Sequence, residues 1–571
     1  MTLRARKLYQ QAVQAWRAGR VERAEALLVA TLESDPAHAD ALSDLGALRQ
    51  SLDRYEEAIV LYESALAVDG QHLRALRNLA RAQEHLDRLG EASATLLRLA
   101  QLDRAEAAAY LIREALLVHL VAPDADYPQR VRSSIVAKLA AIKAAGARMT
   151  RPLRFPSTYF ALSYHGLCNK ELVQRIADAH TTADPRLEWT APQAREWTAP
   201  KGRIRVGVAS RFLRGHSIGN TSRGLVRHLD RASHEVVVIR FGATAPDSIA
   251  AEIDAAADRV VVVPYDDLAA AREAIARLSL DVLFYQDVGM EPLSYLLAFS
   301  RLAPVQLTSF GHPETTGVRN MDYFLSSANY ECDEAQTHYA ERLIMVPDAG
   351  TLSYYYRPPA SSSRARDDFG FAAADHLYLC PQSLFKIHPD MDAMFKAILE
   401  NDAVGRIVLI DSRDQPLREP LERRLAATLG TLAQRVRFVP PLPYPDFLSL
   451  IECADVMLDT PRFNGQNTTL EALAKGCPVV TLPGRLQRER HSYGMYRAMG
   501  FMDLIADSAH RYAALAVRVA NDAAFRDHCR ARIAATRDVL YENAAFVRNC
   551  EQAFRVMIEE TNARASAPRT R

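Results

Sequence analysis

Through about residue 146 the apolar positions recur three and four residues apart, the spacing that gathers them on one face of an α-helix. Asp124-Ala-Asp-Tyr-Pro128 breaks that pattern, and an amphipathic helix is predicted again over 131–143. Past residue 203 the periodicity changes. Short apolar runs at 204–210, 235–241, 259–264, 281–286, 305–310 and 322–326 alternate with helical stretches, which predicts a mostly parallel sheet covered on both faces. The polar segment 356–364 interrupts the series, and a second one succeeds it at 377–380, 406–411, 435–440, 455–459 and 478–482. Helical spacing returns at 488–499, 508–535 and 541–560, and one of these helices is expected to cross back and brace the first lobe. The organisation read from the pattern is a helical domain over 1–146, a connector over 147–203, one α/β lobe over 204–347, a linker over 348–375, a second lobe with terminal helices over 376–562, and a disordered tail over 563–571.

The first hundred residues also repeat. A shift of 34 positions aligns Arg20, Arg54 and Arg88; Ala24, Ala58 and Ala92; Leu28, Tyr62 and Leu96; and Asp35, Asp69 and Asp103, with Leu45-Gly46 on Leu79-Ala80. That period, with small residues where two helices approach, is that of a tetratricopeptide repeat. Each hairpin buries its apolar stripe by stacking on the next, so about three units form one cooperative superhelix. Such an array offers a groove to a protein or peptide. Between the repeats and the first lobe, Glu-Trp-Thr-Ala-Pro occurs at 188–192 and again at 196–200, and Trp189 and Trp197 are expected to pack the repeat domain onto its C-terminal neighbour.

Composition narrows the function. Lys and Arg number 70 against 69 Asp and Glu, a net charge of +1, which leaves no excess for neutralising a nucleic-acid backbone. The seven cysteines show no metal-ligand spacing and read as small buried residues of a reduced compartment. Neither a signal peptide nor a membrane-spanning apolar run is read, so a soluble, cytoplasmic protein without membrane or nucleic-acid partners is expected.

Candidate chemistry gathers at the strand ends, where open α/β sheets bind ligands. His216 follows the first run in a Gly-containing loop, Asp287 follows the fourth, and Gly311-His-Pro-Glu-Thr-Thr-Gly317, with His312, Pro313 and Gly317, follows the fifth. In the second series, Gln382, Ser383 and Lys386 follow the first run, just before a helix predicted to start near Pro389. Downstream, Gln466, Asn467 and Thr468 sit at a helix start, where free N–H groups and the positive end of the helix dipole suit an anion, and Glu471 lies a turn further in, within reach of a ribose. Asp124-Ala-Asp126 and Asp390-Met-Asp392 fall in helical surroundings, where acidic residues cap helices, so no metal is expected. Two readings are open for His491, facing the cleft with Tyr493 or standing solvated on its helix, and the sequence favours the second.

Tetratricopeptide repeats followed by Gly-His-Ser, Gly-His-Pro-Glu-Thr-Thr-Gly, Phe-Lys-Ile-His-Pro, Leu-Asp-Thr-Pro and Asn-Thr-Thr-Leu-Glu-Ala-Leu resemble the O-GlcNAc transferase family, in a bacterial form. The resemblance implies two Rossmann-like lobes of the GT-B type and metal-independent inverting transfer of N-acetylglucosamine from UDP-GlcNAc to Ser or Thr of proteins. On it, His216 matches a cleft histidine, Lys386 the lysine on the diphosphate, Gln466, Asn467 and Thr468 the phosphate loop, and Glu471 an acid at the ribose. Animal members read Asn-Gly-His-Thr-Thr where this chain has Asn464-Gly-Gln-Asn-Thr468, and they carry Asp in place of Glu471. Three readings stay open: UDP-GlcNAc transfer, UDP-glucose transfer, and a nucleotide-binding adaptor without turnover. The acceptor proton is likewise open between His216, Asp287 and late loss to the diphosphate.

Overall fold

The computed structural model describes residues 2–245, 247–346, 350–412 and 416–566. Six helices, Leu3–Arg17, Val21–Ser34, Ala39–Ser51, Tyr55–Val68, Leu73–His85 and Leu89–Leu102, pair as three hairpins. The aligned columns acquire physical meaning here. Arg20, Arg54 and Arg88 precede the second helix of each hairpin, and Asp35, Asp69 and Asp103 end it. Ala24, Ala58 and Ala92 are buried where the helices meet, and Gly46 lies so close to its partner helix that a Cβ there would stand 2.6 Å from the Tyr62 ring.

Helices Ala107–Ala115, Tyr127–Ala144 and Lys170–Ala183 continue the array. Pro128, part of the predicted break, stands in the first turn of the second of these, where its missing N–H has no intrahelical partner to lose. Ile112, Leu139 and Ile176 share one core with Tyr295 and Phe299 of the first lobe, so apolar packing joins repeats and lobe. Trp189 packs against that shared core, while Trp197 serves the lobe, its Nε1 donating to Asp281 at 2.8 Å.

The first lobe is a seven-stranded parallel sheet of β1 (Ile204–Ser210), β2 (His234–Phe241), β3 (Arg259–Val263), β4 (Val282–Tyr285), β5 (Val305–Ser309), β6 (Tyr323–Ser327) and β7 (Arg342–Val346), ordered β3-β2-β1-β4-β5-β6-β7. The sequence pattern predicts six. β7 is a half-exposed edge strand, with Met345 50% exposed; its apolar run 343–346 follows a 3-10 turn, Ala335–His338, rather than a helix, and so falls outside the strand–helix alternation. In the second lobe, β8 (His376–Cys380), β9 (Gly405–Ile410), β10 (Val436–Val439), β11 (Val456–Leu458) and β12 (Val479–Val480) pair in parallel as β10-β9-β8-β11-β12. Both sheets have the architecture predicted from the alternating runs.

The last helix, Ala544–Ser566, lays Phe546, Val547, Cys550, Phe554 and Met557 on the first-lobe core, which is the crossing brace. Residues 567–571, most of the tail read as disordered, lie outside the described residues. The stretch 508–535, read as one helix, is two. Asp522 ends Ala509–Asn521 and caps Ala523–Thr536 by accepting from the Phe525 N–H at 3.0 Å. Among the described residues, no helix is long and apolar enough to cross a membrane.

Candidate active site between the lobes

The carboxyl ends of the two sheets face a cavity of about 310 Å³. Nine of the predicted positions line it: His216, His312 and Pro313 from the first lobe, and Gln382, Ser383, Lys386, Gln466, Asn467 and Thr468 from the second. Asp287, Gly317 and Glu471 do not.

Lys386 is set by a single turn, Leu384–Lys386, after β8. Its ammonium donates to neutral oxygens, Gln382 Oε1 at 3.1 Å and the Asn464 carbonyl at 3.5 Å, and lies 4.6 Å from the centre of the Phe463 ring. Burial pushes its pKa down to about 8 against the opposing pull of Asp459. Asp459 is itself pushed up to about 6 by burial, and accepts from the Thr481 hydroxyl and the Gly465 N–H, each at 2.8 Å. The result is a cation whose charge is poorly offset by its surroundings. Gln382 spans the site, since its Nε2 donates to Thr468 Oγ1 at 2.7 Å, at the start of helix Asn467–Ala474. The side-chain amide of Asn467 reaches across to the Ser217 carbonyl at 3.5 Å, where the lobes touch.

His216 caps helix Ser217–His228 by accepting from the Ile218 N–H at 3.2 Å through Nδ1, and its ring stacks on Phe212. Burial, with Arg214 nearby, lowers its pKa to about 4, so the imidazole is neutral at pH 7. With Nδ1 accepting, the proton sits on Nε2, and the ring in this tautomer is a donor rather than a base. His312 is fully engaged: Nδ1 donates to the Val288 carbonyl at 3.0 Å and Nε2 accepts from the Ser163 hydroxyl at 3.1 Å, while burial lowers its pKa to about 3.

The three positions off the cavity have local reasons. The end of β4 turns inward, so Asp287 is completely buried; its Oδ2 accepts from Ser210 Oγ at 3.0 Å and burial raises its pKa well above the carboxylate range. Gly317, at φ +67°, packs so tightly on helix Lys170–Ala183 that a Cβ would meet the Gln174 nitrogen at 2.6 Å. Glu471 is buried against Tyr444, whose hydroxyl donates to it at 2.9 Å, and burial raises it to about 7.

Sequence reasoning missed two features. His491, for which the sequence favours the solvated reading over the cleft-facing one, is 1% exposed and lines the cavity at the start of helix His491–Met499, with no hydrogen-bond partner for either nitrogen among the described residues. Arg488, within the charged run 485–490, is fully buried and binds Glu314 of the first lobe at 2.7 Å; its Nη2 also donates to the Leu167 carbonyl at 2.6 Å. This pair joins both lobes to the helical connector, and Glu314 further accepts from Asn169 Nδ2 at 2.7 Å. A run of charges ordinarily marks a solvated face, so the sequence carries no signal for the burial of Arg488. Asp390 and Asp392 stand in the first helical turn of Pro389–Asn401, held by Arg462 and Arg424 respectively. A second cavity of about 340 Å³ shares Phe160 and Phe385 with the first and opens toward Arg81 and Glu84 of the third repeat.

Three hairpin repeats leading into two parallel-sheet lobes with a cationic interlobe cavity define a two-lobed α/β protein with a helical repeat array. Residues 359–549 match the Glycosyl transferase family 41 model and residues 50–116 a Tetratricopeptide repeat model, so the chain carries a family 41 glycosyltransferase domain beside tetratricopeptide repeats. It is similar to a Petunia hybrida protein named probable UDP-N-acetylglucosamine–peptide N-acetylglucosaminyltransferase SPINDLY, 29% identical over 269 residues, which are 45% of this chain and 28% of that protein. An Arabidopsis thaliana relative, the probable UDP-N-acetylglucosamine–peptide N-acetylglucosaminyltransferase SEC, is 25% identical over 44% of this chain and 26% of its own length. The chain thus spans less than a third of these plant relatives. A mutant of Thermobaculum terrenum O-GlcNAc transferase shares the fold, with a TM-score of 0.70, 23% identity, and coverage of 99% of this chain and 100% of that one.

Proposed function

We propose that this chain transfers a sugar, N-acetylglucosamine in the first instance, from a UDP-sugar to Ser or Thr hydroxyls of proteins, with inversion and without a metal. One observation carries the reading: a half-buried, poorly offset Lys386 beside the start of helix Asn467–Ala474, in a cavity between two lobes. As the glycosidic bond breaks, negative charge grows on the leaving diphosphate. Lys386 and the N–H groups of Asn467–Thr469 lie where that charge would be met, which stabilises the transition state more than the ground state. His216 supplies a donor at neutral pH, and the acceptor proton leaves late, to the diphosphate or through water, rather than to the Nδ1 that caps a helix. The acceptor chain comes from the repeat side, through the cavity that shares Phe160 and Phe385 with the donor cavity.

The relatives' names support the donor and the protein acceptor, and the carboxylates of Asp390 and Asp392 are already held by arginines. Transfer assays with UDP-GlcNAc and UDP-glucose on a panel of Ser- and Thr-containing peptides test the reading. Transfer from UDP-GlcNAc supports it, transfer from UDP-glucose alone replaces the donor, and binding of UDP without transfer or hydrolysis of either donor leaves a nucleotide-binding adaptor.

A further inference from the structure

We infer that Asn464, Gln466 and His491 form a neutral hydrogen-bonding subsite that holds the sugar of the nucleotide-sugar, next to the cationic subsite of Lys386. The inference rests on the donor proposed above.

The candidates at 312–317 lie on the first-lobe side of the cleft, but the polar groups there are committed elsewhere. His312 uses both nitrogens on Val288 and Ser163, Glu314 is bound by Arg488, and Gly317 faces a helix of the connector. On the opposite wall the position is reversed. Both ring nitrogens of His491, Oδ1 of Asn464 and both polar atoms of the Gln466 amide are buried without a hydrogen-bond partner among the described residues. His491 is 1% exposed and Asn464 0%, and all three residues line the cavity. Native proteins pair nearly all such groups, so a cluster left unpaired at the wall of one cavity points to a ligand.

The three are also held in register. The Asn464 N–H donates to the Arg488 carbonyl at 2.7 Å, which ties the loop after β11 to the turn before His491, and the hydroxyls of Thr469 and Ser492 meet at 2.9 Å between the two helix starts. An amide oxygen, a whole carboxamide and an imidazole kept neutral by burial and by the nearby Lys386 offer donors and acceptors without net charge. That set suits sugar hydroxyls or an acetamido group and not a phosphate, whose charge falls to Lys386.

Two substitutions keep side-chain volume while removing the polar atoms, His491→Phe and Gln466→Met. Calorimetric titration of the full chain with UDP, UDP-GlcNAc and UDP-glucose, alongside a thermal melt of each variant, reads the outcome. The expected result for His491→Phe is a Kd for UDP within about twofold of wild type and a Kd for the sugar-bearing donor at least tenfold weaker; Gln466→Met, a change at the phosphate loop, is expected to weaken the sugar-bearing donor at least fivefold more than it weakens UDP. Equal weakening of UDP and UDP-sugar, or no weakening of either in a folded variant, overturns the subsite while leaving the proposed transfer standing. Failure of the wild-type chain to bind UDP overturns the proposed function and this inference together.

Discussion

The two walls of the interlobe cavity are built from similar residue types and use them differently. On the first-lobe wall, His216 Nδ1 caps a helix, both nitrogens of His312 are bonded, and the Thr221 hydroxyl bonds back to its own helix. On the second-lobe wall, the Lys386 ammonium rests on neutral oxygens, and Asn464, Gln466 and His491 keep unpartnered polar atoms. A buried polar group left without a partner costs about 1–3 kcal/mol. Such groups are therefore better evidence for where a ligand binds than a conspicuous motif is. The first lobe supplies shape and one donor, and the second supplies the charge and the free hydrogen-bonding capacity.

The largest expected effect falls on the contact joining the walls. Arg488→Met leaves Glu314 buried without its cation and should cost about 3–5 kcal/mol of stability, read by urea melts. The double variant Arg488→Met with Glu314→Leu should recover most of that loss, and additive losses would contradict the pairing. Next, Lys386→Ala should lower the rate of transfer about a hundredfold or more, roughly 2.7–4 kcal/mol, in a chain that still folds. The pH dependence is smaller. Burial has lowered Lys386 to about 8, so the charge is nearly full at pH 7 and is lost as pH rises through 8. UDP binding should weaken on the order of tenfold between pH 7 and 9.5, and constant affinity over that range would separate the cation from the diphosphate. Smallest, His216→Ala should reduce transfer about tenfold and cost about 1 kcal/mol of stability through the lost cap. A drop larger than that of Lys386→Ala would reverse the asymmetry between the walls.

The repeats and eleven of the twelve strands were legible because their signals are local. A 34-residue period fixes which positions face the neighbouring helix, and short apolar runs between helices have few alternatives to a buried parallel strand. β7 escaped although 343–346 is an apolar run, because a 3-10 turn rather than a helix precedes it, and the 508–535 helix was misread because Asp522 serves one helix as its end and the next as its cap. Lys386 and the helix start at Asn467 could be found because each follows directly from a strand end. Long-range burial could not. Arg488 is buried against Glu314 and the Leu167 carbonyl, and His491 and Phe160 reach one cavity, through the meeting of connector and lobes, which no local pattern encodes; Asp287 and Glu471 fall outside the cavity because their side chains turn into the packed interior.

A crystal structure of the full chain with UDP bound tests the central claim most directly. The diphosphate is predicted within hydrogen-bonding distance of Lys386 Nζ and the N–H groups of Asn467–Thr469, between the two lobes. Density for the nucleotide in the cavity beside Arg81, or in the interlobe cavity with its phosphates turned away from Lys386, would contradict the account.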